Sequence, residues 1–185
     1  MTHRGDAGAQ GTLAAQPGGG AHLAPRRRAR RTGFHARAAG IIVTTPTLER
    51  ELRVRHYQTP LFCMIRGVPV DIFSPGPGPL FQDLPRPIAL YVGRVAIEKN
   101  LEAFLAMKWE GSKVIVGDGP SLAVFRQKYP DIVFAGVKTD KELAEHYRSA
   151  DLFVFPSKTD TFGIVILEAA VLAIPVVASR VGGIP

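Results

Sequence analysis

The sequence lacks the features of a disulfide-stabilised or membrane-spanning protein. Its 185 residues include one cysteine, Cys63, so no intrachain disulfide can form. Cys63 lies in the apolar run 61–65, where we predict a buried, unreactive thiol, as fits a reducing compartment. The most apolar long segment, residues 162–178, is interrupted by Glu168 and Pro175, which favours helix, turn and strand over a membrane span. No apolar segment typical of a secretory signal is present, and we expect a cytoplasmic protein.

Acidic residues are scarce at the beginning of the chain. The first 40 residues contain seven Lys or Arg and one acid, which accounts for +6 of the net charge of +7. Residues 1–33 are rich in Gly, Ala, Pro and Arg without apolar periodicity, which predicts a disordered tail. Its arginines at 26–31 could bind nucleic acid or anionic lipid, but we favour a solvated tail. Because the remainder has no basic, aromatic-interleaved face, we expect no specific nucleic-acid partner.

Beyond the tail, the apolar pattern predicts two folded units. Residues 34–73 contain a short strand, a helix and a second strand, and the Pro/Gly-rich segment 74–86 is a plausible linker. Residues 87–185 alternate near-continuous apolar strands with helices. This pattern predicts an α/β fold, a Rossmann-like parallel sheet with helices on both faces. The strands are predicted at 88–92, 113–116, 132–134, 152–155 and 175–178.

Parallel sheets bind ligands at the carboxyl ends of their strands, so the loops there are the places to look for a site. Gly93 ends the first strand of the larger unit and allows the backbone to approach a ligand. Arg94 and Lys99 add two cations suited to a diphosphate, ahead of a helix N-terminus. The alternative is a surface loop with solvated charges and a local ion pair to Glu98. Spacing alone slightly favours this alternative.

Two carboxylates mark the loop and helix after the fourth of these strands. Glu168 is the one charged side chain between Phe162 and Ser179, and a carboxylate in so apolar a helix needs a partner. The hydroxyls of a ribose would provide one. Asp160 precedes it by eight residues, roughly 12 Å if the segment is helical throughout, about the span from ribose to sugar in a nucleoside-diphosphate sugar. The alternative, in which Glu168 reaches solvent or caps a loop, stays open.

Several short segments match one enzyme family in order and spacing. They are Tyr91-Val92-Gly93-Arg94 with Glu98-Lys99-Asn100, Val116-Gly117-Asp118-Gly119-Pro120, Phe134-Ala135-Gly136, Ala150-Asp151-Leu152-Phe153-Val154-Phe155-Pro156-Ser157, Thr159-Asp160-Thr161-Phe162-Gly163 through Glu168-Ala169, and Gly182-Gly183-Ile184-Pro185. Through them, residues 34–185 resemble family 4 glycosyltransferases, retaining enzymes of the GT-B fold. The branch most similar is the bacterial one that transfers mannose or glucose to lipid or glycan acceptors.

The resemblance implies a site for a nucleoside-diphosphate sugar, GDP- or UDP-linked, with no bound metal and no further cofactor. Glu168 would hold the ribose and Asp160 would contact the transferred sugar. Arg94 and Lys99 would neutralise the charge that develops on the departing diphosphate. The donor-binding residues implied are Gly93, Val137 and Lys138 near the base, Thr161, the backbone amides around Phe162, Gly163, Ile164 and Val165, and Glu168.

The resemblance also implies what the two units do. Residues 87–185 would be the donor-binding domain, ending before the family's last strand and closing helix, and residues 34–73 a remnant of the acceptor domain. The implied reaction is transfer of a hexosyl group, mannose or glucose, to a lipid or glycan acceptor with retention, which allows peripheral contact at the inner membrane face. The alternative is a catalytically inactive nucleotide-sugar-binding fragment. Ala173 stands where the family has a glycine, and a left-handed backbone there would cost about 1 kcal/mol.

Overall fold

Two parallel sheets form the described part of this computed structural model, which comprises residues 38–64, 66–160 and 162–180. The smaller sheet pairs β1 (Ile41–Val43) with β2 (Leu61–Cys63), joined by helix α1 (Pro46–Val54). The Thr45 hydroxyl accepts the Leu48 N–H at 3.1 Å and so caps α1. The predicted strand, helix and strand are therefore present. The predicted tail lies outside the described residues.

Cys63 is exposed, so the prediction of a buried thiol is wrong. It ends one strand of the two-stranded sheet, whose Phe62 and Met64 side chains are also more than half exposed. An apolar run is buried only where a second layer covers the strand. In the described residues, α1 covers this small sheet only in part, and Val43 is its one fully buried strand residue.

The larger sheet has five parallel strands in the order β5-β4-β3-β6-β7. Its strands are β3 (Ile88–Val92), β4 (Ser112–Val116), β5 (Val133–Gly136), β6 (Leu152–Phe155) and β7 (Val176–Ala178). Its helices are a 3-10 turn (Ile97–Lys99), α2 (Leu101–Ala106), α3 (Leu122–Lys128), α4 (Asp140–Arg148) and α5 (Ile164–Val171). The predicted α/β fold with a parallel sheet and flanking helices is confirmed.

The strand order reverses direction at β3. From β3 the chain steps outward through β4 to β5, then returns to the other side of β3 to form β6 and β7. Right-handed crossovers therefore place α2 and α3 on one face and α4 and α5 on the other. The loops after β3 and β6 diverge to opposite faces, which opens a crevice at the carboxyl ends of these two neighbouring strands.

The amino ends of β3 and β6 are held together by Asp151. Its carboxylate accepts the Ile88 N–H at 2.6 Å and pairs with Arg86 at 2.8 Å. Burial opposes ionisation of this group, but the Arg86 hydrogen bond, the Ile88 amide and the Arg86 charge together lower the pKa of Asp151. Asp151 therefore has a structural role at the edge of the sheet opposite the crevice.

Residues 66–87 contain no helix or strand in their described part, and they pack along helix α4. Phe73 is buried in the core of the larger sheet and meets the Tyr147 ring edge to face, with centroids 6.2 Å apart. Phe81 makes a similar contact with His146, and the Leu80 N–H donates to the Ser149 hydroxyl at 3.0 Å. The predicted linker is thus attached to the larger sheet. The boundary at 74–86 stays a prediction.

Helix α5 ends at Val171, and the left-handed residue Ala173 follows two positions later. Ala173 has φ 59°, its N–H donates to Ala170 O at 3.0 Å, and the Ile174 N–H donates to Ala169 O at 3.1 Å. These two bonds form the motif that closes many helices, in which the left-handed position is usually glycine. The left-handed backbone that the sequence left as a condition is therefore present at Ala173.

Ala173→Gly is expected to stabilise the chain by about 1 kcal/mol, because glycine adopts a positive φ without steric cost. The measurement is the free energy of unfolding in urea. Ala170→Gly is the matched control, since Ala170 is exposed in the interior of α5, and it should destabilise by a similar amount. Equal effects of the two substitutions would contradict this account of the helix end.

Candidate functional site

Two hydrogen bonds fix the loop after β3. The buried Tyr91 hydroxyl donates to Arg94 O at 3.0 Å, and the Gly93 N–H donates to Val116 O at 2.9 Å. Burial and, after it, the charges of Asp160 and Glu98 raise the pKa of Tyr91, so the hydroxyl remains a donor. The backbone of this loop is thereby set at the carboxyl edge of the sheet.

A second loop, residues 117–120, clamps the first. The Val95 N–H donates to Asp118 O at 2.9 Å, and Val95 O accepts the Ser121 N–H at 3.1 Å. A Cβ on Gly117 would lie 1.9 Å from Gly93 O. The sequence analysis matched residues 117–120 to the family but assigned them no role. The signal was two glycines, 117 and 119, directly after a buried strand, a pattern typical of close backbone approach.

Lys99 and Asp160 form an ion pair across the crevice. Lys99 Nζ lies 2.8 Å from Asp160 Oδ2, and both side chains are about four-fifths buried. Asp160 Oδ1 accepts the backbone N–H groups of Phe162 and Gly163, at 3.5 and 3.2 Å. Burial acts to raise the pKa of Asp160, but the Lys99 hydrogen bond and charge, with the two amides, lower it below the ordinary value. Asp160 is therefore held as a carboxylate.

Helix α5 begins beside this pair. Gly163 precedes it with φ 67°, and the helix starts at Ile164 rather than at Phe162. The 12 Å separation of Asp160 and Glu168, which assumed a continuous helix, therefore does not apply. The N–H groups of Ile164 and Val165 lie in the first turn, where a helix provides no internal partner and its dipole favours an anion.

These elements enclose a cleft of about 480 Å³, within the size range of small-molecule sites. It is lined by Tyr91, Val92, Gly93, Arg94, Glu98, Lys99, Phe155, Thr159, Asp160, Gly163, Ile164 and Val165. Seven of the predicted site residues are among them, namely Gly93, Arg94, Lys99, Asp160, Gly163, Ile164 and Val165. The cleft lies at the point where the strand order reverses.

Arg94 is the more solvent-exposed of the two predicted cations in this cleft. Its side chain is 64% exposed, and its guanidinium lies 3.7 Å from the Glu98 carboxylate. The alternative interpretation, a surface loop with a local ion pair to Glu98, is therefore correct for Arg94. It is not correct for Lys99, which pairs with Asp160. Such an exposed pair contributes little to stability, so Arg94 is easily released to a ligand.

Glu168 is half-buried and has a partner in the protein. Its Oε2 accepts a hydrogen bond from the Tyr147 hydroxyl at 2.8 Å, and the same hydroxyl lies 3.1 Å from Val165 O. Burial raises the pKa of Glu168, and the Tyr147 hydrogen bond acts in the opposite direction. Glu168 therefore has a protein partner that neither alternative named, while its half-exposed position leaves part of the carboxylate open to solvent. Tyr147 is the residue that sequence reasoning missed.

Four of the described predicted residues do not line the cleft, namely Val137, Lys138, Phe162 and Glu168. Val137 and Lys138 follow β5 at the far edge of the sheet, where Val137 is exposed and Lys138 lies 3.7 Å from Glu142. Phe162 contributes its N–H to Asp160. Thr161 lies outside the described residues. The roles of all the predicted site residues stay predictions.

The comparisons with known proteins identify the family. A family model described as Glycosyl transferases group 1 matches residues 86–185, more than half of the chain. The chain belongs to this family. This membership confirms the resemblance to glycosyltransferases that the sequence motifs indicate.

The most informative relatives are transferases of different sugars. The chain is 38% identical over 105 residues to the sulfoquinovosyl transferase SQD2 of Arabidopsis thaliana, covering 54% of this chain and 21% of that enzyme. It is 41% identical over 95 residues to a GDP-mannose-dependent alpha-mannosyltransferase of Corynebacterium glutamicum, covering 50% of this chain and 23% of the enzyme. The chain thus spans about a quarter of the length of these relatives.

The fold has close counterparts among solved structures. Sucrose-phosphate synthase from Thermosynechococcus elongatus superposes with a TM-score of 0.73 at 28% identity, over 88% of this chain and 46% of the synthase. Among the described residues, no helix is long and apolar enough to cross a membrane. Within the same residues, no three His, Cys, Asp or Glu side chains converge as metal ligands. Metal-independent chemistry stays a prediction.

Gly117→Ala is expected to destabilise the chain by at least about 2 kcal/mol more than Gly136→Ala, because its Cβ would collide with the Gly93 carbonyl. Gly136 also has positive φ, 74°, but a Cβ there meets nothing within 4 Å. Its substitution therefore costs only backbone strain, about 1–2 kcal/mol. Urea unfolding of both variants measures the difference. Equal losses would show that the clamp on the Gly93 loop is unimportant.

Lys99→Met is expected to raise the pKa of Asp160, because burial then acts against ionisation with less compensation. Since the pKa of folded wild-type Asp160 lies below its unfolded value, the stabilisation is present above the ordinary aspartate pKa. This stabilisation is lost as pH falls through the pKa of Asp160 in the folded protein. In the variant the same loss occurs at a higher pH. Carboxyl carbon NMR titration of Asp160 measures the change. Arg94→Met is the control, and an equal shift there would refute the specific pairing.

Proposed function

We propose that this chain carries the donor site of a hexosyltransferase, which binds a nucleoside-diphosphate sugar and acts with retention. The observation that carries the proposal is the cleft at the strand reversal, where the first turn of α5 faces Lys99 and Arg94. This combination of backbone donors and cations suits a diphosphate. The GDP-mannose dependence of the mannosyltransferase relative supports a nucleotide-sugar donor. The proposed donor is GDP- or UDP-linked.

The diphosphate is proposed to bind between α5 and the Gly93 loop. The amides of Ile164 and Val165 would donate to its oxygens, whereas those of Phe162 and Gly163 already donate to Asp160. Lys99 would then be shared between Asp160 and the diphosphate. As the sugar departs, negative charge grows on the diphosphate, and cations already in place stabilise it without reorganisation.

The two carboxylates are proposed to contact the sugar and the ribose of the donor. Asp160, kept ionised by Lys99, would contact the transferred sugar, and Glu168 would accept hydrogen bonds from the ribose hydroxyls. Val137 and Lys138, at the carboxyl edge after β5, would approach the base. Metal and cofactor independence is part of the proposal, because Lys99 and Arg94 would supply the positive charge.

The acceptor is proposed to be a lipid or glycan. The transferred sugar is proposed to be mannose or glucose. The two relatives named above are transferases of different sugars, so the sugar is a separate proposal from the donor site. A cytoplasmic location with contact at the inner membrane face accompanies a lipid acceptor. The rival proposal is a nucleotide-sugar-binding unit without turnover.

Donor binding is tested first by calorimetric titration of the chain with GDP-mannose, UDP-glucose, GDP and UDP. We expect one nucleotide series to bind in the micromolar to millimolar range. Glu168→Ala should weaken that binding at least about tenfold, since it removes a charged hydrogen-bond acceptor. Glu110→Gln is the control, because Glu110 is exposed and lies two residues before β4, at the amino edge of the sheet.

The outcomes separate the two proposals. Binding with slow donor turnover, whose released sugar first appears in the donor's anomeric configuration by NMR, supports a retaining transferase. Binding without turnover, also with added lipid-linked and oligosaccharide acceptors, favours the binding unit. Loss of binding in Glu110→Gln to the same degree as in Glu168→Ala, or no binding of any nucleotide by the wild-type chain, contradicts a donor site in this cleft.

A further inference from the structure

The hydroxyl of Tyr147 joins helix α4 to helix α5 at two points. It lies 2.8 Å from Glu168 Oε2 and 3.1 Å from Val165 O, residues that are three apart on α5. Val165 lines the cleft at the first turn of α5, and Glu168 follows it one turn later. A single buried group on a different helix therefore contacts both the backbone beside the proposed diphosphate and the proposed ribose acceptor.

The Tyr147 ring has little freedom to move. It is completely buried and packs against Phe73, edge to face, and against Phe153, with centroids 5.4 Å apart. Phe153 lies in β6 and Phe73 in the segment 66–87, so the Tyr147 ring is held by both the sheet and that segment. A hydroxyl on a ring fixed in this way has a defined position, and the carboxylate that accepts from it loses most of its own rotational freedom.

We propose that Tyr147 is a positioning residue for the donor ribose, acting through Glu168. This inference rests on the proposed function of the cleft. The hydroxyl engages one carboxylate oxygen, Oε2, and leaves Oε1 to accept from the ribose. Glu168 would otherwise have several rotamers on a half-exposed helix face. Holding it in one of them lowers the entropy that nucleotide binding must overcome.

The chemistry of the pair supports this assignment over packing alone. Phenylalanine would fill the same space in the core, so the hydroxyl is not required by packing. The hydroxyl stays protonated, since burial and then the charge and hydrogen bond of Glu168 raise the pKa of Tyr147. Tyr147 is also the only titratable group, among the described residues, that shifts the pKa of Glu168. It therefore keeps the buried carboxylate closer to its ionised form, which is the form that accepts from hydroxyls.

Tyr147→Phe tests the proposal, because it keeps the ring and removes the hydroxyl. Affinities are measured by calorimetry for three probes: the nucleoside diphosphate that the wild-type chain binds, its 2′,3′-dideoxy analogue, and inorganic pyrophosphate. We expect on the order of tenfold weaker binding of the ribonucleoside diphosphate, with little change for the other two. In Glu168→Gln, adding Tyr147→Phe should cause no further loss, since both residues act on the same contact.

The pH dependence gives a second readout that a packing role would not change. As pH falls, the advantage of the ribonucleoside diphosphate over its dideoxy analogue disappears when Glu168 is protonated. Without the Tyr147 hydrogen bond the pKa of Glu168 rises, so in Tyr147→Phe this advantage is expected to disappear at a higher pH than in the wild-type chain. Tyr129→Phe, at the end of α3 and away from the cleft, is the matched control and should behave as wild type.

Three results would overturn the proposal. Wild-type affinity and an unshifted pH profile in Tyr147→Phe would show that Glu168 needs no such partner. Equal weakening of all three probes would show that the hydroxyl supports the start of α5 through Val165 rather than the ribose contact. If the wild-type chain binds no nucleotide, the donor site itself fails and this inference fails with it. The first two results leave the donor site intact.

Discussion

Strand β3 pairs with β4 over all five of its residues and with β6 along its other side. Because the chain reaches these neighbours in opposite directions, the loops after β3 and β6 diverge at the carboxyl edge and leave a crevice between them. Every group in the candidate site is positioned relative to this crevice. The buried core of β3 and the Asp151 bonds at the amino edge keep the two strands in register.

The charged side chains of the site pair with other groups of the protein. Lys99 pairs with Asp160, Asp160 accepts two amides ahead of α5, Arg94 lies near Glu98, and Tyr147 donates to Glu168. Buried polar groups require such partners, since an unpaired one costs more than its hydrogen bond contributes. A diphosphate would therefore compete with existing contacts. The arrangement favours a ligand that replaces several of them at once over a single small anion.

Much of the fold and part of the site could be predicted from local pattern. The five strands of the larger sheet were located because buried parallel strands are short apolar runs, and three of these runs are followed directly by glycine or proline. Cys63 shows the limit of this reasoning, since an apolar run does not reveal whether another layer covers it. The start of α5 shows another, because Asp160 binds the amides of Phe162 and Gly163 and delays the helix to Ile164. That competition is not visible in helix periodicity.

The sequence by itself determined the family, the parallel sheet and the candidate carboxylates and cations, because these depend on residue type and order along the chain. It also marked Ala173 as standing where the family has a glycine, and the structure showed that this residue is left-handed. Only the tertiary structure decided which of these groups are partners. Lys99 meets Asp160 across 61 residues, and Tyr147 meets Glu168 from another helix. Such contacts are set by strand order and by packing between layers, and neither is encoded in the spacing of residues within one segment.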